Sequence, residues 1–453
     1  MICLSLEKAN PLKNKYSIMI TQKFFRPVLA ILGITFIASC QKDMDQLSSE
    51  LDQATLRSIN YTMSPKEALG RKIYFDKRFS STGTQSCSSC HLPEQGFVGK
   101  ADVNSATAPG FLAGIGEGAV KGSFGGRKPP SAAYATFAPA FHFDAINQEY
   151  VGGLFWDGRA TGEVTGTTAG DQALEPFLAD KKHNMPSQRA VLQIIANDAA
   201  YQALWKAAWG SNLTISRSTD LQNYRRVGLS IGEFEASPEV NQFSSRFDAW
   251  LRAGSPENGG GILSRRELDG MALFQEAECD KCHDMEANPG EPGPLFTEFS
   301  YANIGLPSNM DFINQTPTLG NAPSRLDNGL LGFLLKRGES NLIVLGEAEG
   351  AFKIPTLRNV AKGEGNKRFM HNGVLRSLKE VVHFYNTRDL TGPTREFPSF
   401  IPWAQPEFDA SKDTKRVGNL GLSSADEDLI VEFMRTLTDG YSKPTVTTAK
   451  RVL

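Results

Sequence analysis

Two copies of the pentapeptide Cys-x-x-Cys-His constrain this chain more than any other feature, at Cys87–His91 and at Cys279–His283. Two thiols at this spacing can each form a thioether with one vinyl group of a single porphyrin, and the adjacent histidine can then ligate the iron. Zinc sites usually place their second cysteine pair about 15–20 residues away, and thioredoxin-type pairs need no following histidine. The sequence therefore predicts two covalently bound c-type haems and a redox function. The predicted thioether cysteines are Cys87, Cys90, Cys279 and Cys282, and the predicted iron ligands are His91 and His283.

The N-terminal segment has the pattern of a bacterial lipoprotein signal. Basic residues precede a short apolar run that ends in small residues and Cys40, and the run is too short for a comfortable membrane span. We expect residues 1–39 to be removed, with 1–18 an extension before the true start at Met19, and residues 40–60 to form a tether. The alternatives are an ordinary signal peptide or a short membrane anchor. This predicts lipid anchoring through Cys40 in the envelope of a Gram-negative bacterium, facing the periplasm or the cell surface.

Charge and cysteine usage limit the remaining classes. The formal net charge is −2 and becomes more negative once the basic leader is removed, which argues against a nucleic-acid partner. Four of the six cysteines belong to the haem motifs, so no structural disulfide is expected. A basic surface on a partner protein is compatible with this charge.

The predicted fold is mainly α, with two cytochrome c-like domains that each bind one covalent haem, and with long irregular loops. Helical periodicity before each motif predicts helices over Pro65–Phe75 and Ser264–Phe274. A second helix is expected around Val227–Phe234 in one half, and another begins at Ser424 in the other, where Ser424 and Glu427 fit a capping box. We place the N-terminal domain at 61–253 and the C-terminal domain at 254–445. The glycine-rich segment 101–130 either shapes access to a haem or decorates the surface.

Several further stretches are similar to the bacterial di-haem cytochrome c peroxidase family, including its methylamine-utilisation (MauG) branch, over roughly residues 60–440. The matching stretches are Leu69–Asp76, Phe155–Ala160, Gln172–Phe177, Phe352–Asn359 and Met370–Gly373 through Tyr385. The resemblance implies that the haem on His91 reacts with peroxide and that the haem on His283 transfers electrons. It also implies that Trp156 lies between the two haems. Gln172 and His371 match further positions near the haems and are candidate catalytic residues.

Tyr385 is the candidate sixth ligand of the second haem. Family peroxidases have methionine at this position, whereas the MauG branch has tyrosine, and phenolate oxygen stabilises ferric iron where thioether sulfur raises the potential. Met370 and His383 are lesser alternatives, and Tyr385 could instead be an ordinary core residue of its helix.

The distal side of the first haem departs from many family peroxidases, which hold a second histidine on that iron. No histidine lies between His91 and His142. The resemblance therefore implies an iron that is five-coordinate or carries water, unless folding recruits His142 or His183.

The distal glutamate that serves family peroxidases as acid–base is also missing. Its position falls on Lys182 or a neighbour, and a protonated lysine cannot accept a proton. We expect impaired peroxidase turnover unless His183, Asp180 or Glu175 takes over this role.

The interdomain calcium site of relatives is doubtful here, because its flanking residues are replaced around Asn366 and Arg368. The leading hypothesis is a peroxidase that reduces hydrogen peroxide with electrons from a small donor protein, a cytochrome c or a cupredoxin. One alternative is a MauG-like oxidase acting on a protein or organic substrate. Another is a non-catalytic lipoprotein that relays electrons.

Overall fold

The computed structural model describes residues 61–102, 110–316 and 326–442, which all belong to a single compact unit. The predicted signal segment, Cys40 and the tether at 40–60 lie outside the described residues, so lipid anchoring stays a prediction. Among the described residues, the structure has no helix that is long and apolar enough to cross a bilayer.

Helices dominate the described chain, which confirms the mainly α prediction. The helices of the N-terminal half are α1 (Pro65–Phe75), α2 (Cys87–Cys90), α3 (Thr168–Leu178), α4 (Gln188–Ala196), α5 (Ala199–Trp209) and α6 (Asp220–Glu235). Those of the C-terminal half are α7 (Arg246–Arg252), α8 (Arg265–Glu276), α9 (Met310–Gln315), α10 (Leu330–Arg337), α11 (Leu342–Ala348), α12 (Leu378–Thr387) and α13 (Ser424–Arg435). Short 3₁₀ turns also occur, at Lys77–Phe79, Pro93–Gln95, Ala135–Phe137, Gly259–Gly261 and Cys279–Lys281.

The strands are short and form three two-stranded antiparallel ribbons in the described loops. The ribbons are β1 (Phe111–Leu112) with β2 (Ile115–Gly116), β3 (His142–Asp144) with β4 (Glu149–Val151), and β5 (Tyr301–Ala302) with β6 (Phe352–Lys353). Ribbons of this length pin loops in place and do not form a sheet core.

The same helix crossing occurs in both halves. Helix α1 packs on α6, and α8 packs on α13. At each crossing a glycine lets the two backbones meet: a Cβ on Gly70 would lie 1.8 Å from the carbonyl oxygen of Ser230, and one on Gly270 would lie 1.9 Å from that of Leu429. Each crossing brings the helix before a haem motif against the last long helix of the same half.

Helix α13 begins at Ser424, as predicted, but its capping box lies one residue earlier. Its N-cap is Ser423, which forms the capping box with Asp426. The predicted partner Glu427 is fully buried and accepts hydrogen bonds from His383 and Asn386. Because the Glu427 carboxylate bonds these side chains in the core, it does not cap the helix. Ser423 and Asp426, one residue earlier, form the capping box instead.

Two hydrophobic cores accompany the two halves. The first runs from Leu69 to Phe243, and the second begins at Phe247. Leu295 and Phe299 come from the C-terminal half but pack in the first core. The change between cores falls a few residues before the predicted boundary at 253, and the division into two domains stays a prediction.

We expect Gly70→Ala and Gly270→Ala each to lower the free energy of unfolding by at least about 2 kcal/mol, because the added methyl group overlaps a helix carbonyl and the backbones must separate. Guanidinium unfolding followed by circular dichroism measures this. Gly346→Ala in α11 is the matched control, since a Cβ there meets no atom within 4 Å, and we expect it to be neutral or stabilising. Unchanged unfolding midpoints for the two core variants would contradict the proposed close approach.

Candidate functional site

The first CxxCH motif borders a cavity that opens to solvent, which we call the first cavity; Cys87, Cys90 and His91 lie in its wall. The two cysteines begin and end α2, and His91 caps that helix. Both thiols are free in this structure, and they are the predicted thioether positions. The short helix sets both sulfurs and the imidazole around one space.

The second motif borders another cavity, the second cavity, with Cys279, Cys282 and His283 in its wall. Here the motif forms a 3₁₀ turn that follows Glu278, whose φ of 58° is left-handed. Each cavity therefore has one complete motif of its own, as two separate haems require.

A hydrogen bond to a backbone carbonyl orients each motif histidine. The distance from Nδ1 to the carbonyl oxygen is 3.2 Å for His91 and Phe97, and 2.9 Å for His283 and Phe296. A carbonyl can only accept, so Nδ1 carries the proton and Nε2 keeps its lone pair for a metal. Burial lowers the pKa of His91 to about 4 and also lowers that of His283, which keeps both rings neutral.

The two carbonyl-bearing loops are supported in the same way. Ser131 Oγ donates to the carbonyl of Gly96 at 2.9 Å, and Thr356 Oγ1 donates to that of Leu295 at 2.5 Å. Each hydroxyl ends a Lys-x-Pro-Ser/Thr tetrapeptide that follows its haem motif. Sequence reasoning missed this repeat, although the repeated tetrapeptide was the signal that could have revealed it.

The residues of both cavities fit a haem. Each cavity offers a thiol pair at the attachment spacing and a neutral, oriented imidazole. His371 also lines the second cavity, and its Nε2 is buried without a hydrogen-bond partner among the described residues. Such an orphaned polar atom points to a group that belongs in the cavity.

Trp156 lies in the walls of both cavities, as the resemblance implies. Its Nε1 donates to the carbonyl of Lys128 at 2.7 Å, and its own carbonyl accepts from the N–H of Lys353 at 2.9 Å. The ring of His371 lies 6.3 Å from that of Trp156 and stacks on Phe352 with the centroids 3.4 Å apart. These rings form the partition between the cavities.

Two loops of the same length, one from each half of the chain, contribute to this partition. An antiparallel bridge between Leu154 and Ala160 closes the loop that carries Trp156, and a bridge between Phe369 and Leu375 closes the loop that carries His371. Trp156 and His371 each follow their bridge residue by two positions. The internal repeat thus places an aromatic ring from each half at the same wall.

Tyr385 lies on α12 and lines the second cavity. Its hydroxyl makes no hydrogen bond to the described residues, and burial, followed by the charge of the nearby thiols, raises its pKa. Met370 lines the same cavity. His383 does not, because its Nδ1 is held 2.9 Å from Glu427 Oε1. The structure thus leaves two of the three candidate ligands within the second cavity.

Helix α3 and the loop after it also line the first cavity. Gln172 and Glu175 come from the helix, and Lys182 and His183 come from the loop. Two other sequence candidates lie elsewhere: Asp180 is exposed outside the cavity wall, and His142 is exposed on β3. Gln172 makes no side-chain hydrogen bond to the described residues.

Glu175 is committed to two cations. Its carboxylate accepts from Arg159 at 2.7 and 2.8 Å and lies 3.6 Å from Lys182 Nζ. Burial alone raises the pKa of Glu175, but the hydrogen bond from Arg159 and the charge of Lys182 outweigh it and hold that pKa below its usual value. The carboxyl group is therefore ionised, and its oxygens are already paired with Arg159 and Lys182.

Part of the glycine-rich loop also reaches this cavity. Gly116, Gly125 and Gly126 line it. The next residue, Arg127, bonds Asp157 at 2.6 Å and Asp327 at 2.5 and 2.6 Å. The described part of segment 101–130 thus shapes the cavity, and Arg127 ties it to the C-terminal half.

Comparison with known proteins gives the family. The model of di-haem cytochrome c peroxidases matches residues 64–255. Methylamine utilization protein MauG of Paracoccus denitrificans is 30% identical over 380 residues, covering 83% of this chain and 89% of that protein. The chain belongs to the di-haem cytochrome c peroxidase family. Membership implies two c-type haems and an oxidoreductase.

Two further similar proteins show the range of the match. Cytochrome c551 peroxidase of Nitrosomonas europaea is 26% identical over 316 residues, covering 69% of this chain and 70% of that one. The crystal structure of the diheme peroxidase BthA from Burkholderia thailandensis matches with a TM-score of 0.63 at 27% identity, covering 84% of this chain and 87% of that one. The predicted family is confirmed, while the roles of individual site residues stay predictions.

Proposed function

We propose that the protein reduces hydrogen peroxide to water at the first cavity, with electrons that enter from a small donor protein at the second cavity and pass along Trp156. The observation that carries this proposal is the place of Trp156 in the walls of both cavities. Bound haem supplies iron that can change its oxidation state. The two cavities are lined by different side chains, and we propose that this difference sets the direction of electron flow.

Gln172 and His371 fit positioning roles in this scheme. The Gln172 amide faces the first cavity without a partner among the described residues, so it is free to hydrogen-bond peroxide. The buried, unpartnered Nε2 of His371 faces the second cavity beside Trp156. We propose that it bonds the group held there and keeps the partition rigid.

A second candidate function is that of a MauG-like oxidase, in which oxidising equivalents formed at the first cavity leave through Trp156 to a protein or organic substrate. Tyr385 in the wall of the second cavity favours it, because a phenolate there stabilises the oxidised form of that iron. The match to the MauG protein of Paracoccus denitrificans points the same way.

The cell envelope is the proposed location. The predicted lipid attachment at Cys40 and the haem attachment motifs support it. A small soluble cytochrome c or cupredoxin is the proposed electron donor, because a covalently anchored haem at the second cavity suits one-electron exchange between proteins.

We expect Trp156→Phe to slow peroxide-dependent oxidation of a reduced small cytochrome c at least about tenfold, or about 1.4 kcal/mol in the barrier, because the shared wall loses its indole. Stopped-flow absorption of the haem-loaded protein measures this. Trp250→Phe is the control, since Trp250 is equally buried, at 8%, but lines neither cavity.

The same experiment, run with and without the reduced electron donor, separates the peroxidase, the oxidase and the electron-relay functions. A peroxide reaction of the di-ferric protein that proceeds without donor and yields a persistent oxidised species favours the oxidase. No reaction with peroxide in the oxidised or the reduced protein leaves only electron relay and overturns the proposed peroxidase function.

We expect Tyr385→Phe to remove the low-spin ferric signal of the second haem, because a phenyl ring offers no ligand oxygen. Tyr385→Met should restore a low-spin signal and raise the midpoint potential. Electron paramagnetic resonance and a redox titration give both readouts. Tyr224→Phe is the control, since its hydroxyl bonds the carbonyl of Leu174 away from the second cavity. An unaltered low-spin signal in Tyr385→Phe would show that the tyrosine is a packing residue.

We also propose that the protein works without calcium. Lys367 Nζ lies 3.0 and 3.1 Å from the carbonyl oxygens of Asn359 and Val360, so an amino group already uses acceptors of the kind that calcium prefers. Burial, followed by the charge of Lys128, lowers the pKa of Lys367. Arg368, the residue after Lys367, is also basic, and it is paired with Asp102 and Asp311.

Treatment with a calcium chelator followed by desalting should therefore leave the absorption spectrum and the peroxide reaction unchanged. Added calcium should change neither, before or after the treatment. Loss of the reaction on chelation, with recovery on adding calcium but not magnesium, would show that a calcium site exists despite the lysines.

A further inference from the structure

The chemistry proposed for the first cavity needs a group that takes a proton from peroxide, and the glutamate that the family resemblance implies for this role is missing from the loop after α3. Four titratable side chains of α3 and the loop after it line the first cavity: Glu175, Lys181, Lys182 and His183. They differ sharply in how much of their hydrogen-bonding capacity is already used.

Glu175 and Lys182 occupy each other. The Glu175 carboxylate receives two hydrogen bonds from Arg159 as well as the Lys182 ammonium. Lys182 also lies 4.6 Å from the centre of the Phe155 ring. A carboxylate held by two cations is a weak base, and an ammonium paired with it has no lone pair to offer.

His183 is held rigidly with one nitrogen unused. Its Nδ1 lies 2.9 Å from the carbonyl oxygen of Phe79, its backbone N–H donates to Pro176, and its carbonyl accepts from Ser81. The ring meets Phe177 edge to face with the centroids 5.4 Å apart. Because the Phe79 carbonyl can only accept, Nδ1 carries the proton and Nε2 keeps its lone pair, with no hydrogen bond to the described residues.

The ring is also neutral at physiological pH. Burial, with smaller contributions from the charges of Lys182 and His91, lowers the pKa of His183 to about 4, against the opposing effect of the Phe79 carbonyl. This is the same arrangement that both haem-ligating histidines show. The difference is that His183 belongs to no attachment motif.

We infer that His183 Nε2 is the proton acceptor and donor for peroxide in the first cavity, in place of the missing glutamate. This role rests on the proposed function. With haem bound, His183 would take a proton from one peroxide oxygen and deliver it to the other, which would leave as water when the O–O bond breaks, and the haem would supply the two electrons for this step. Two electrons from the one-electron donor protein and two protons from solvent complete the conversion of hydrogen peroxide to two waters.

The test uses the haem-loaded protein with His183→Asn, His183→Glu and the control His142→Asn. Asparagine can still donate to the Phe79 carbonyl but cannot take up a proton, whereas glutamate can. His142 is exposed on a hairpin, and its ring bonds the nearby carbonyl of Ala140, so the same replacement there should change nothing.

Cyanide binding gives a readout that does not depend on turnover. Hydrogen cyanide is neutral at pH 7 and must lose its proton to bind ferric iron. We expect His183→Asn to slow both cyanide association and the peroxide reaction by about 10²–10⁴-fold. His183→Glu should retain both rates within about tenfold of the native protein, and His142→Asn should match it.

Two results would overturn the inference. One is native cyanide and peroxide rates in His183→Asn. The other is a low-spin first haem in the native protein that becomes high-spin in His183→Asn, which would make His183 an iron ligand. A native protein that ignores peroxide but whose cyanide association still depends on His183 would refute the peroxidase proposal and leave the proton-acceptor role standing. If His183→Asn fails to load haem, His183→Gln takes its place.

Discussion

The hydrogen bond between each motif histidine and a phenylalanine carbonyl is the contact on which the rest of the site depends. Phe97 and Phe296 have left-handed backbones, with φ of 59° and 54°, and this turns their carbonyls toward His91 and His283. A non-glycine residue in that region is strained, and hydroxyl groups of the following Ser/Thr loops hold the turn in place. Tautomer, ring orientation and metal-binding nitrogen all follow from this one contact.

Much of the fold could be predicted because its signals are local. The helix over Pro65–Phe75 begins and ends as expected, since a serine cap, a proline and an apolar stripe all lie within it. The capping box of α13 was wrong by one residue because Glu427, the expected partner, is used by a neighbouring helix through His383. The local sequence pattern predicts that a helix forms, but contacts with another helix decide which residue caps it.

The candidate site was predictable where covalent chemistry fixes spacing, and less so where folding brings distant residues together. Each haem motif could be recognised because its five residues are contiguous in the sequence. The choice among Glu175, Asp180 and His183 was not, because it depends on Arg159 and on the carbonyl of Phe79, which lie far from the loop in sequence. Tyr385 stayed one of three candidates until the pairing of His383 with Glu427 placed that histidine outside the second cavity.

The backbone of Lys128 has a consequence for how charge crosses the partition. Its carbonyl accepts from Trp156 Nε1, and its N–H donates to the carbonyl of His371 at 2.7 Å. The main chain of Lys128 therefore holds the Trp156 ring and the backbone of His371, independently of the lysine side chain. Groups locked by main-chain bonds need little rearrangement when a nearby charge changes. In the proposed electron transfer, a wall held in this way would contribute little to the reorganisation energy.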